Sequence, residues 1–223
     1  MFTLIPLKPL LYVRLQLDSF ISSQLVSLHR DGPIIVVDYP HCALAVKFPG
    51  GSDHSMVIVV MGVSGCGKSV IGQGLADSLG WEFKDADSLH SAANVEKMSH
   101  GHPLNDADRL PWLQSVADVI THWIENNQQG VIACSSLKEE YRKLLVGKHA
   151  GQIKFAYLKG SYDLFEKRME LRKNHFMKAD MLKSQFATLE EPRNAFVVNA
   201  SLPSATIISQ LTEKVKETAV KPQ

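Results

Sequence analysis

Residues Gly62, Val63, Ser64, Gly65, Cys66, Gly67, Lys68 and Ser69 match the pattern G-x-x-x-x-G-K-[ST] at every fixed position. Chemistry follows from that spacing. Glycines let the backbone curl into a nest with its N–H groups facing inward, and the helix expected to follow adds its positive end, so a polyphosphate can be held there by backbone. Lys68 is placed to reach the β- and γ-phosphates, and Ser69 to ligate Mg²⁺. The plainer alternative is a glycine-rich strand-to-helix turn that binds nothing. Cys66 is either an oxidation-sensitive thiol within the loop or a small residue at a variable position.

A phosphate loop does not say what the nucleotide is for, and a second cluster narrows the class. Asp85 and Asp87 stand one residue apart after a short apolar stretch, where a strand of a parallel sheet would open onto the ligand crevice. Phosphoryl transfer needs a metal that neutralises the phosphates and a base that orients the attacking oxygen. Two carboxylates at a strand end can divide those tasks, Asp85 toward the metal and Asp87 toward an acceptor hydroxyl; a solvated Asx turn is the alternative. The apolar run before Ser135 ends without an acidic residue, which favours Asp85 for the metal. No Asn-Lys-x-Asp sequence occurs, which argues against a GTPase.

Longer motifs extend this picture: Phe83-x-Asp85-x-Asp87-x-Leu89-His90, Asn94-x-x-Lys97-Met98 and Gly101-x-Pro103-Leu104-x-Asp106-x-Asp108-Arg109-x-Pro111-Trp112-Leu113. They continue through Cys134-Ser135-Ser136-Leu137-Lys138-x-x-Tyr141-Arg142, Tyr157-Leu158-Lys159-Gly160, Arg168-x-x-x-Arg172-x-x-His175-Phe176 and Leu189-Glu190-x-Pro192. From Met56 onward the chain resembles the gluconate kinases, small P-loop enzymes of the shikimate- and adenylate-kinase-like group. The resemblance implies an ATP- and Mg²⁺-dependent transfer of phosphate to the 6-hydroxyl of D-gluconate, and a homodimer. It does not cover residues 1–55.

Gluconate carries a carboxylate and several hydroxyls, so its site should pair a guanidinium fork with hydroxyl acceptors. Arg109 is the choice for the carboxylate, with Arg142 or Lys138 as second cation; a helix cap or surface ion pair is the alternative for Arg109. His90 is either a ligand of a substrate hydroxyl or a structural histidine. Arg168, Arg172, Lys173, His175 and Lys178 form a basic run near a helix end. By analogy with related kinases it would belong to a mobile lid, Arg168 stacking on adenine, Arg172 contacting the phosphates and His175 reaching the substrate. A solvated basic helix face is the plain alternative.

The elements that must position these groups alternate short apolar runs with helical patterns, which predicts a doubly wound parallel α/β sheet with helices on both faces. Val57–Met61 reads as a buried strand feeding the phosphate loop, and Val70 to Leu79 as the helix after it, stopping at Gly80. A short strand is expected over Trp81–Phe83, and a helix is expected to begin near Pro111, presenting Trp112, Val116, Val119, Ile120 and Trp123 to the core. Further buried strands are expected at Val131–Cys134, Ile153–Leu158 and Phe196–Val198. A last helix would bury Ile207, Ile208, Leu211 and Val215.

A chain of 223 residues accommodates one kinase-sized domain with an appendage. Twenty-four Lys and Arg against 23 Asp and Glu leave a net charge of +1, so no global field recruits nucleic acid or an anionic membrane. The partner is expected to be a small molecule. Three cysteines, Cys42, Cys66 and Cys134, show neither a C-x-x-C pair nor metal spacing, which fits free thiols in a reducing compartment and a cytoplasmic protein. No run approaches the roughly 18 apolar residues of a membrane span. Residues 1–55 differ in composition, with five prolines (Pro6, Pro9, Pro33, Pro40 and Pro49) and a closing Pro49-Gly50-Gly51-Ser52. They read as an extension from a start codon placed too far upstream, a transit segment, or a genuine appendage. The rivals to a gluconate kinase are a kinase of the same fold for another sugar acid or small polyol, and a nucleotide-binding regulator without turnover. Intact Lys68, Ser69, Asp85 and Asp87 argue against the regulator.

Overall fold

β-branched and apolar runs in the amino-terminal region form antiparallel strands: β1 (Thr3–Leu7) pairs with β2 (Leu10–Arg14), and β4 (Gly32–Tyr39) pairs with β3 (Leu28–His29) and β5 (Cys42–Lys47). The computed structural model describes these strands as backbone, residues 55–171 and 179–220 as structure, and side chains over 55–171 and 181–218. Contacts divide the chain into two units, Met1–Ser52 and Asp53–Gln223. Ser55 belongs to the second: it is buried, its hydroxyl donates to the Ile124 carbonyl at 3.3 Å, and Gln152 Nε2 donates to that hydroxyl at 2.9 Å.

The second unit is built on β6 (Val57–Met61), whose every residue is buried. Its alternation is that of a strand covered on both faces: Ile58 and Val60 point into one core, and Val57, Val59 and Met61 into the other. The parallel sheet has the order β10-β9-β6-β8-β7, with β7 at Glu82–Asp85, β8 at Gly130–Ala133, β9 at Ile153–Lys159 and β10 at Ala195–Asn199. The chain first fills one side of β6 with β7 and β8, then crosses to the other with β9 and β10. That reversal opens a crevice at the carboxyl ends of the strands. One face is covered by α1 (Lys68–Leu79), α5 (Tyr162–Glu170), α6 (Ala179–Thr188) and α7 (Ser204–Val220), which bring Ile71, Leu75, Phe165, Leu182 and Leu211 to the first core. The other is covered by α3 (Asp106–Glu125) and α4 (Glu139–Val146), with Trp112, Val116, Ile120, Trp123 and Leu145. The short helix α2 (Ala92–Ser99) leads into α3.

The doubly wound arrangement is the expected one, with shifts at element ends. Helix α1 begins at Lys68, two residues before the apolar pattern, and ends on Gly80 in the left-handed region at φ 70°. The short strand expected from Trp81 toward Asp85 runs over Glu82–Asp85, starting one residue later. The larger departure is α3, which starts five residues ahead of Pro111. Asn105 and Asp108 form a capping box there: Asp108 N–H donates to Asn105 Oδ1 at 2.8 Å, and Asn105 N–H to Asp108 Oδ2 at 2.9 Å. This reciprocal cap sets the helix start, and Pro111 sits inside, forgoing the bond its missing N–H would have made.

Candidate active site

The phosphate loop follows β6 without a break. Gly62 has φ 144°, and a Cβ there would lie 2.9 Å from Cys66 Sγ; Gly65 has φ 81°, and a Cβ there would lie 3.0 Å from the Phe165 carbonyl. Both positions require glycine, by backbone angle and by space. Gly67 is the N-cap of α1 at φ 98°, with no side-chain cap on the helix. The first N–H groups of α1 therefore face the loop's interior with a favourable dipole behind them, the arrangement that holds an anion. Lys68 Nζ lies over the loop, donating to the Val63 carbonyl at 3.1 Å. Cys66 is buried, and burial raises its thiol pKa above the ordinary value, against the lowering influence of Lys68. An inert packing residue is the reading that environment supports.

Ser69 Oγ donates to Asp85 Oδ2 at 2.5 Å, joining the first turn of α1 to the end of β7. The other Asp85 oxygen, Oδ1, accepts the Asp87 N–H at 3.0 Å and so caps a 3₁₀ turn over Ala86–Leu89. This turn presents Asp87 as an exposed residue two positions beyond the Ser69 contact. Its inner side is pinned by Trp112, whose Nε1–H donates to the Ala86 carbonyl at 2.7 Å in a buried contact. Trp112 is a core residue, as its pattern indicates, and also a support for the turn that carries Asp87.

His90 closes the same turn and stacks on Trp112, with ring centroids 4.3 Å apart and planes 14° from parallel. Its Nδ1 is buried and makes no hydrogen bond with another described residue. Burial lowers the His90 pKa; Asp87 opposes that shift and Arg109 adds to it. A neutral imidazole between a carboxylate and a guanidinium is able to bond a hydroxyl.

A second cluster faces this one from α3 and α4. Arg109 is partly buried, 3.8 Å from Asp106 Oδ1, with Nη1 3.5 Å from the Tyr141 hydroxyl. Lys138 donates to Asp106 Oδ2 at 2.7 Å and lies 3.2 Å from Glu140 Oε1, with its Nζ over the Tyr141 ring. Tyr141 hydroxyl also donates to Asp106 Oδ1. Asp106 is thus the hub that gathers two cations and a phenol, and these partners, Lys138 first, hold its carboxyl below the usual range. Asp106 and Tyr141 stand in the sequence motifs without an expected role; the signal for one is Asp106 standing three residues before Arg109, one helical turn away.

Other motif residues turn out to be staples. Lys97 is 2.5 Å from Asp108 Oδ2, and Asn94 Nδ2 donates to the Asp108 carbonyl at 2.9 Å, so α2 is tied to the start of α3. Arg142, one of two candidates for the second cation, sits beneath the acceptor loop. It is buried, and its Nη1 donates to the Ser136 carbonyl at 2.9 Å and the Leu137 carbonyl at 3.1 Å, bracing the loop after β8, whereas Lys138 joins Arg109 on Asp106. That loop is strained: Ser136 is fully buried with φ 44°. Arg168 lies on the nucleotide side, where its Nη2 donates to the Ala200 carbonyl at 2.7 Å, and it is close enough to Cys66 to influence the thiol. Arg172 and His175, read from sequence as lid residues, lie outside the described residues, as do Lys173 and Lys178.

The oxygen pair of Ser69 and Asp85 suits a hard cation that takes its remaining ligands from phosphate and water. Among the described residues, no group of three or more His, Cys, Asp or Glu forms a metal cage.

Residues 64–221 match the family model for shikimate kinase. The chain is 41% identical over 169 residues to the thermoresistant gluconokinase of Escherichia coli K12, covering 74% of this chain and 95% of that protein. It is 47% identical over 135 residues to the gluconokinase of Gluconobacter oxydans, covering 60% of this chain and 75% of that one. Among solved structures, a gluconokinase from Sinorhizobium meliloti superposes with a TM-score of 0.67 at 37% identity, covering 74% of this chain and 93% of the other.

Proposed function

The chain belongs to the shikimate-kinase family of P-loop kinases, among its gluconokinases, and we propose that Asp87 and Arg109 carry its acceptor chemistry. It is an enzyme that phosphorylates D-gluconate, with ATP as donor. The product of this reading is 6-phospho-D-gluconate. The observation that carries the phosphoryl-transfer reading is the Ser69–Asp85 contact at 2.5 Å with Asp87 two residues on, which gathers a hydroxyl, a metal-facing carboxylate and a base candidate beside one phosphate loop.

In this reading the backbone nest of residues 62–69 and Lys68 hold the β- and γ-phosphates, while Arg168 flanks the adenine. Ser69 and Asp85 would hold Mg²⁺, which supplies charge neutralisation across the phosphates when bound. Arg109 and Lys138, kept together by Asp106, receive the gluconate carboxylate. His90 offers its imidazole to a hydroxyl of the polyol. Asp87 accepts the proton of the 6-hydroxyl as its oxygen bonds to the γ-phosphorus and the bond to the β-phosphate oxygen breaks, releasing ADP. Positioning and electrostatics supply nearly all of the acceleration. Arg172 and His175 keep their proposed roles over the phosphates and substrate.

Residues 56–223 are proposed as the catalytic unit, Mg²⁺ as its metal, a homodimer as its assembly and the cytoplasm as its compartment. Free buried thiols at Cys66 and Cys134 agree with the last, burial raising the Cys134 pKa to about 11. No helix among the described residues is long and apolar enough to cross a membrane. A second reading, phosphorylation of a different sugar acid or small polyol, draws on the matching family model bearing the name of shikimate kinase. A coupled ADP-release assay with gluconate, other sugar acids and shikimate separates them: gluconate should give the highest kcat/KM, and preference for another acceptor would overturn the assignment.

A further inference from the structure

Leu189-Glu190-x-Pro192 belongs to the sequence motifs, yet none of its residues has a part in the chemistry above. The fold gives it one. Helix α4 begins at Glu139, and its N-cap is Lys138, whose side chain makes no capping bond. A lysine cannot accept from a backbone N–H, so the orphan donors at this end need a partner from elsewhere.

That partner is Glu190. Its Oε2 accepts the Glu139 N–H at 2.6 Å, from 51 residues away, and its own N–H donates to the Leu137 carbonyl at 2.9 Å. The same Leu137 carbonyl accepts from Arg142 Nη1 at 3.1 Å. Residues 136–139 are therefore clamped from two sides, by Arg142 from within α4 and by Glu190 from outside. A carboxylate at the start of a helix also meets the positive end of its dipole. Lys138 lies in the middle of the clamp, and its Nζ is one arm of the cation pair gathered on Asp106.

The stretch that supplies Glu190 has a second anchor five residues earlier. Gln185 Oε1 accepts the Ser64 N–H of the phosphate loop at 2.7 Å. One short stretch, the end of α6 and the turn after it, thus touches the nucleotide loop through Gln185 and the acceptor loop through Glu190. Donor and acceptor must be held in register for in-line transfer, and an error of about 1 Å is costly.

We propose that Glu190 is a positioning residue for the acceptor substrate: as a remote cap of α4 it sets the place of Lys138, and with Gln185 it fixes the acceptor loop relative to the phosphate loop. This rests on the reading of Arg109 and Lys138 as the gluconate carboxylate site. Glu190 itself touches neither substrate.

The test compares Glu190→Ala, Glu190→Gln and Gln185→Ala with the full-length enzyme, using gluconate and ATP as probes. Loss of a cap acting through Lys138 should raise KM for gluconate roughly tenfold in Glu190→Ala, with KM for ATP changed less than about twofold. Glu190→Gln keeps an oxygen that accepts from Glu139 N–H, so it should restore most of the gluconate affinity. Gln185→Ala should shift KM for ATP and leave KM for gluconate nearly unchanged. Amide hydrogen exchange gives a readout independent of turnover: the Glu139 amide should exchange about tenfold faster in Glu190→Ala while amides of β6 and β8 keep their protection. An unaltered Glu139 amide, or equal rises in both KM values, would overturn the proposal. Failure of wild type to use gluconate would instead overturn the substrate assignment, and the exchange result would still decide whether Glu190 caps α4.

Discussion

The two halves of the crevice are made of different material. On the nucleotide side the working groups are mostly backbone: eight consecutive residues, three of them glycines at a φ that strains any side chain, and the bare start of α1. On the acceptor side they are long side chains from separate elements, Asp87 and His90 after β7, Arg109 from α3 and Lys138 at the start of α4, held by Asp106 and Trp112. A backbone nest recognises phosphate, the part common to all nucleotides. A side-chain cluster can change one member at a time and so sets which acceptor is used. The first half should fail abruptly when altered, and the second by degrees and by substrate.

Removing the reacting groups sets the upper end of the scale. Asp87→Asn keeps the shape of the turn and removes the base, and kcat should fall by roughly 10²–10⁴-fold, the span for a positioned acid or base. Lys68→Ala should cost at least ~10²-fold in kcat by removing a cation from the transferring phosphate. Rapid-quench single turnovers with circular dichroism as a folding control read both. Turnover within a few-fold of wild type in either variant would sink that residue's role.

Arg109→Ala tests the graded half. It should raise KM for gluconate about 10- to 100-fold, the worth of a hydrogen bond to a charged group, and leave KM for ATP nearly unchanged. Glucose, which lacks the carboxylate, is the control: its poor turnover should be insensitive to the substitution. Equal damage to both acceptors would mean that Arg109 only steadies α3 through Asp106, and the comparison between the halves would lose its specificity argument.

Trp112→Phe probes the support beneath the acceptor turn. Phenylalanine can keep the stack on His90, but the buried Ala86 carbonyl loses its donor, which should destabilise the protein by about 1–3 kcal/mol. Chemical unfolding measures that directly. Gluconate turnover should also drop modestly as the turn bearing Asp87 loosens; a fully stable variant would show that the Trp112–Ala86 bond contributes nothing.

The same contrast explains what could be read from residues alone. The phosphate loop is contiguous, and its glycines, lysine and serine announce both a conformation and a ligand, so Gly62 to Ser69 fall where the pattern places them. Alternation in Val57–Met61 was legible because both faces of β6 are buried. Helix α3 starts ahead of the position that Pro111, a strong local signal, predicts, because the Asn105–Asp108 box that sets its start depends on a reciprocal pair of bonds. The acceptor side mixes motif residues of two kinds: Asn94, Lys97, Asp108 and Arg142 look like ligands by type, yet they hold elements together. Only the fold shows that Arg142 is turned onto the Ser136 and Leu137 carbonyls, or that Glu190 meets α4 from 51 residues away.

The smallest effect concerns His90 and pH. Its folded pKa lies below the ordinary 6.5 because burial disfavours the imidazolium, with Asp87 opposing and Arg109 assisting. The unfolded chain therefore takes up this proton before the folded protein does. The stability associated with neutral His90 is fully present above pH ~6.5 and is lost as pH falls through the lower folded value. In the folded enzyme, protonation makes both ring nitrogens donors and sets a further cation beside Arg109, disturbing the hydroxyl site. KM for gluconate should stay flat from pH 8 down through about 6.5 and rise by a few-fold only as pH falls on through the lowered folded value, while KM for ATP does not follow. His90→Asn keeps a hydrogen-bonding group that does not titrate, so its gluconate KM should lack the acidic rise, and its melting temperature should fall less steeply with acid than that of wild type. If the acidic rise persists unchanged in His90→Asn, the imidazole is no part of the hydroxyl site. The group behind the rise would then lie elsewhere than His90, and not at Asp106, whose carboxyl its cation partners hold below the usual range.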